Sequence, residues 1–134
     1  MSSLRHLLCV FAATLLLGAC SSSDTPEEVT RHFLEAVYKN EPEQAFKLID
    51  IPKDAQPGAE DMVRGKLKGQ LAENARKTAS LGGLSTIEVT NTEYNPDKTA
   101  ATTSATVSFK NADAPKRQEQ LRLVKGENGW KIRL

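Results

Sequence analysis

The chain has 134 residues, 39% of them hydrophobic and 26% charged, and its 18 basic and 17 acidic side chains leave a formal charge of +1. That length suits one domain with a modest core, and the near-neutral balance excludes an overall electrostatic drive toward nucleic acid. The two cysteines are Cys9 and Cys20, which excludes a disulfide framework as the source of stability.

The first predicted element is a leader. Arg5 stands in a short basic start, an apolar run fills residues 7–17, and Gly18 and Ala19 are small. That is the layout of a secretory signal. The run falls short of the ~20 apolar residues that a membrane-spanning helix needs. A plain secretory signal has no use for a thiol, yet Cys20 follows Leu17-Gly18-Ala19 and precedes Ser21-Ser22-Ser23. This stretch resembles the lipobox of bacterial lipoproteins. The resemblance implies that a dedicated peptidase removes residues 1–19 and that Cys20 carries a diacylglycerol thioether. Residues 20–24 are then a lipidated cysteine with a short serine-rich tether.

On that reading the first partner is the membrane, through lipid on Cys20. Each buried methylene contributes ~0.8 kcal/mol, so two or three acyl chains hold a protein there firmly. Ser21 stands where an Asp marks inner-membrane retention in enteric bacteria, so the resemblance implies a periplasm-facing place on the outer membrane. Residues 21–24 reach at most about 14 Å when extended, which keeps the domain close to the bilayer. Loss of the leader removes Arg5 and no acid, and the formal charge falls to zero.

Residues 25–134 read as a single α+β domain. Thr25-Pro26-Glu27-Glu28 is a helix start: Thr25 caps, Pro26 fits the first helical position, and Glu28 completes a capping box. Val29, Phe33, Ala36 and Val37 recur at helical spacing to about residue 39. Asn40-Glu41-Pro42 breaks this helix and opens a short second one, with Ala45, Phe46 and Ile49 on its apolar side and an end near Asp50. Residues 51–58 hold two prolines and a glycine and read as a loop. A third helix is predicted over 59–80, with Val63, Leu67, Leu71 and Ala75 as a narrow apolar stripe. Gly65 and Gly69 in it cost ~1 kcal/mol each relative to Ala, which fits either close packing or a bend.

Gly82-Gly83 ends the helical half, and the period changes to two. Residues 84–94 form a first strand with Ile87 and Val89 on one face, and Asn95-Pro96-Asp97-Lys98 forms a turn. Ala101, Thr103, Ala105, Val107 and Phe109 alternate with Thr102, Ser104, Thr106 and Ser108 in a second strand. After a loop at 111–115, Leu121 and Leu123 carry a third strand. Gly126-Glu127-Asn128-Gly129 turns the chain into a last strand of Trp130, Ile132 and Leu134 alternating with Lys131 and Arg133. Three helices followed by four antiparallel strands predict helices packed on one face of a curved sheet.

The lipobox, Thr-Pro-Glu-Glu-Val, the short Glu-Gln-Ala-Phe helix and the Gly129-Trp130-Lys131-Ile132 ending together resemble bacterial lipoproteins of unknown function. Those belong to the nuclear-transport-factor-two-like, or cystatin-like, superfamily. The resemblance implies a cone in which helices and a curved four-stranded sheet surround a pocket. Candidate lining residues are Phe33, Val37, Phe46, Leu67, Leu71, Ile87, Val107, Phe109, Leu123 and Trp130.

Enzymes of that superfamily place an Asp, His or Tyr acid–base pair inside the cone. Once the leader is gone, His32 is the one histidine, and it sits at the edge of the first helix's apolar stripe, where a half-solvated boundary residue is the preferred reading. Tyr38, Tyr94 and Asp50 are outside candidates. No histidine pair, free thiol or carboxylate run has metal-ligand spacing, and no phosphate loop or nucleophile elbow occurs, so neither metal nor cofactor is expected. Lys66, Lys68, Arg76 and Lys77 read as a solvated face. The acidic span 24–50 and the basic span 116–134 are expected to face and pair with each other.

Two functions remain. The preferred one is a non-catalytic domain, held at the envelope by its lipid, that binds an envelope protein or component. The alternative is a cone that takes a small apolar ligand. A filled interior favours the first, and an open cleft with convergent polar groups favours the second.

Overall fold

The computed structural model of the chain describes residues 25–134. The leader, Cys20 and the tether lie outside the described residues.

Helix α1 (Pro26–Tyr38) starts as its sequence demands. Thr25 Oγ1 accepts the Glu28 amide at 3.3 Å, the Thr25 half of the expected capping box, and Pro26 occupies the first turn. Glu27 and Glu28 place negative charge at the positive end of the helix dipole. Asn40 then takes a left-handed φ of 57°, a conformation that Asn tolerates better than most residues. Helix α2 (Pro42–Lys47) is shorter than expected. Leu48 closes it, and the chain straightens to lie parallel to the last strand at Ile49↔Ile132. Asp50 N donates to Ile132 O and Ile132 N to Leu48 O, both at 2.7 Å. The cause is the unpaired edge of that last strand, whose backbone groups need partners.

Helix α3 (Ala59–Ser80) has the expected bounds. Leu67 and Leu71 of its stripe are buried, while Val63 and Ala75 are half-buried. Close packing is not the reason for its glycines, for a Cβ at Gly65 or Gly69 would meet nothing within 4 Å. Gly82 differs: its φ is +85°, and a Cβ there would come within 3.0 Å of the Asn111 backbone.

Strands β1 (Leu84–Tyr94), β2 (Ala100–Phe109), β3 (Arg117–Gly126) and β4 (Gly129–Arg133) form one antiparallel sheet in sequential order. Strand β3 begins at Arg117, earlier than Leu121 alone implied. Register shifts between Leu84 and Thr86 and between Val89 and Asn91 bend β1 at the sheet edge. Along β2 the predicted alternation is complete: Ala101, Thr103, Ala105, Val107 and Phe109 are buried, and the residues between them are half-buried.

Helix α1 lies on this inner face. Val29, Phe33, Leu34, Val107, Phe109, Leu123, Trp130 and Ile132 join one core cluster. Within it the Thr30 and Thr103 hydroxyls share a 2.6 Å hydrogen bond, which satisfies two buried polar groups at once. Further along, Tyr38 meets Phe109 edge-on at 5.8 Å. Helix α1 therefore runs along β2 in the same direction. Its start lies at the sheet end that holds the β1–β2 turn and the β3–β4 hairpin.

Candidate functional site

Two features meet near the other end of α1. The first is a groove of about 540 Å³ between α1 and α3. Phe33 and Val37 form one wall, Leu67 and Leu71 the other, and Gln70, Asn74 and Leu134 border it. The walls come from the apolar stripes of two helices that pack against each other, so the groove is the part of their interface that the side chains leave open. Its volume falls within the ~300–1,000 Å³ usual for small-molecule sites.

The second feature is a polar chain beside the groove. The Tyr38 hydroxyl donates to Glu119 Oε1 at 2.5 Å, and Arg117 Nη1 donates to Asn74 Oδ1 at 3.1 Å. Asn74 Nδ2 is buried without a hydrogen-bond partner. Burial pushes the Tyr38 phenol up to about 12, the Glu119 hydrogen bond and negative charge add to this, and Arg117 opposes it. Tyr38 thus holds its proton against Glu119 and acts at neutral pH as a hydrogen-bond donor to a carboxylate.

The ten candidate lining residues divide between core and surface. Phe33, Leu67 and Leu71 are buried, and with half-buried Val37 they line the groove. Val107, Phe109, Leu123 and Trp130 are buried in the core between α1 and the sheet, with Ile87 packed against them. Phe46 belongs to a different cleft of about 640 Å³ beside the β3–β4 hairpin, where the Arg64 guanidinium covers its ring at 3.9 Å and pairs with Glu43.

The acid–base candidates are scattered. His32 is exposed beside Glu35, Glu41 and Lys47. Asp50 pairs with Arg133 at 3.3 Å, an ion pair between the acidic and basic spans. Tyr94 packs edge-on against Trp130 at 6.0 Å. Lys66, Lys68, Arg76 and Lys77 are exposed, and the last two lie 3.8 Å from Glu73. Among the described residues no group of three His, Cys, Asp or Glu side chains is placed to hold a metal ion, and no helix is long and apolar enough to cross a membrane.

Sequence reasoning missed Arg117, Glu119 and Asn74. A signal for two of them existed: Leu121 and Leu123 face inward, and the same parity carried back along β3 puts Glu119 and Arg117 on that face.

Comparison with solved structures agrees with this architecture. A proposed NTF2-like transpeptidase from Campylobacter jejuni superposes with a TM-score of 0.74 at 24% identity, covering 82% of this chain and 98% of its own. A SEC-C motif containing protein from Rhodopseudomonas palustris matches with a TM-score of 0.50 at 13% identity, over 84% of this chain and 78% of its own. No curated protein matches the sequence. The four-stranded sheet with its helices is an NTF2-like fold. Residues 19–133 match a domain of unknown function, DUF4878, and the chain belongs to that family.

Proposed function

We propose that this protein is a lipid-anchored component of the cell envelope whose domain binds a partner and catalyses no reaction. One observation carries the non-catalytic reading: the inside of the cone is filled. Val29, Val107, Leu123 and Ile132 are at most 1% exposed in the space between α1 and the sheet. The one phenol–carboxylate pair nearby, Tyr38–Glu119, is spent on itself. General acid–base chemistry needs a group with a tuned pKa near neutrality and within reach of substrate, and Tyr38 is pushed the wrong way for that. The name of the Campylobacter protein suggests acyl transfer, but likeness at this identity speaks for fold alone. Both cysteines of the chain precede residue 25, so the domain has no thiol nucleophile.

Anchoring rests on the lipobox-like Leu17-Gly18-Ala19-Cys20 stretch, and the outer membrane is the location that Ser21 favours. Fractionation of wild type beside Cys20→Ala tests it. Wild type is expected in membranes with added lipid mass, and the variant soluble or unprocessed. A soluble wild type of unmodified mass rules the reading out.

The groove favours a second reading, a small apolar ligand held between α1 and α3. Gln70 borders it and is exposed on the groove side of α3, so Gln70→Arg obstructs the groove while sparing the core. Loss of apolar-dye binding in that variant, with the fold intact, supports a ligand site. Unchanged dye binding, with loss of partner capture from envelope membranes, supports the first reading.

A further inference from the structure

We infer that the bilayer lies against the sheet end formed by the β1–β2 turn and the β3–β4 hairpin, with Tyr94 and Lys98 at the lipid–water boundary. The groove and the Tyr38–Glu119 cluster then lie toward the end of the domain that faces away from the membrane. This inference rests on the anchoring reading and adds to it a contact surface and an orientation.

The argument begins with reach. Four tether residues span at most about 14 Å, whereas the eleven residues of β1 span roughly 36 Å at ~3.3 Å each. The start of α1 therefore stays near the headgroups, and the opposite end of the sheet stands clear of them. Two contacts fix which end is which. Thr30 touches Thr103 near the beginning of β2, and Tyr38 touches Phe109 at its end. The start of α1 thus shares its end of the domain with residues 95–99 and 126–129, and Lys125 N donating to Thr99 O at 2.8 Å ties those two turns together.

The surface at that end has the chemistry of an interfacial contact. Tyr94 is a large ring left 45% exposed. Its buried side rests on Trp130, and the Lys98 ammonium stands 5.9 Å from its centroid. A tyrosine beside a lysine presents an apolar body with polar tips, the composition found at membrane–water boundaries. The turn that carries them is held firmly. Asn95 Oδ1 accepts from the Thr99 and Ala100 amides, both at 2.9 Å, and Asp97 Oδ1 accepts from Thr99 Oγ1 at 2.7 Å. Charges of both signs surround it: Asp97, Glu93 and Glu127 against Lys98, Lys125 and Lys53, with Lys53 and Glu127 paired at 3.5 Å. The contact therefore needs no anionic lipid and is insensitive to salt.

The test uses the full lipidated protein. Processing removes Cys9 and consumes the Cys20 thiol, so Lys98→Cys and Asp113→Cys each supply one labelling site. Asp113 lies in the loop between β2 and β3 at the far end, and both side chains are exposed. Each fluorophore-labelled form is reconstituted into phosphatidylcholine vesicles carrying a nitroxide on the headgroup. The Lys98 probe is expected to be quenched several-fold more than the Asp113 probe, at low and high salt alike. Equal quenching, or stronger quenching at Asp113, overturns the orientation. Flotation of the same vesicles separates the two ideas. Protein that floats without the quenching difference refutes the orientation alone, and protein that stays at the bottom refutes anchoring and the inference with it.

Discussion

Helices α1 and α3 lie against each other and differ in what they bury. Helix α1 has 13 residues, of which Pro26, Val29, Thr30, Phe33, Leu34, Ala36 and Tyr38 are buried. Helix α3 has 22, of which Leu67, Leu71 and Thr78 are buried. The shorter helix is a layer of the core, inserted between the sheet and the rest of the molecule. The longer one touches the core along a single narrow stripe and leaves most of its circumference to water. The contrast separates length from structural weight: stability is concentrated where α1 meets the sheet, and α3 is a wall that shapes the groove.

The largest expected effect lies in the α1–sheet layer. Trp130→Ala should cost about 3–5 kcal/mol, as large-to-small changes of buried aromatics do, read by denaturant titration followed by circular dichroism. A loss under ~1 kcal/mol, the range of surface sites, breaks the contrast. A smaller effect is expected at the hydroxyl pair. Thr30→Val leaves the Thr103 hydroxyl buried and unpaired, which costs about 1–3 kcal/mol. Adding Thr103→Val should recover most of that, because no orphan remains. If the double variant is as unstable as the single one, the bond is not what holds the helix to the sheet there.

Tyr38 gives a pH signature. Its folded-state value, about 12, lies above the ordinary 10.0, so the native protein keeps this proton longer than the unfolded chain does. The stability it contributes is fully present below pH 10 and is lost as pH rises from there toward 12. Tyr38→Phe should flatten that part of the stability profile. A wild-type profile already flat across this window contradicts the burial of the Tyr38 phenol beside Glu119. The smallest effects belong to α3, and they carry the opposite sign. Gly65→Ala and Gly69→Ala should each raise stability by ~0.5–1 kcal/mol, since the helix loses a flexible residue and no neighbour is displaced. A destabilising result reveals packing on a face that now stands open.

The sequence made local features readable and hid the distant ones. The α3 bounds followed from the stripe and from Gly82-Gly83, and the β2 alternation from its period of two. The inward placement of Trp130 and Ile132 followed from the charged residues between them. What escaped was set by partners far along the chain. Tyr38 and Glu119 are separated by 81 residues and Thr30 and Thr103 by 73, and nothing in either neighbourhood marks its partner. Helix α2 was overextended for the same reason. Ile49 continues the helical period, and only the free edge of β4 pulls it straight. The lining candidates divide between groove and core for another reason, because apolar residues identify a core and a pocket wall equally well.

The bridge at Ile49↔Ile132 bears on the order in which the molecule assembles. Strands β1, β2 and β3 join neighbours across short turns, and each pairing requires the closure of a small loop. The seam between residues 48–50 and β4 closes about three-quarters of the described chain, and the entropy lost in such a closure grows with loop length. Contacts of this separation slow folding and form late. Until that seam closes, β4, five residues long, presents an open edge on a sheet that is otherwise complete. The interval before closure is therefore when a newly made chain is most open to pairing with another, and a folding helper that acts on this protein has most to gain by covering that edge.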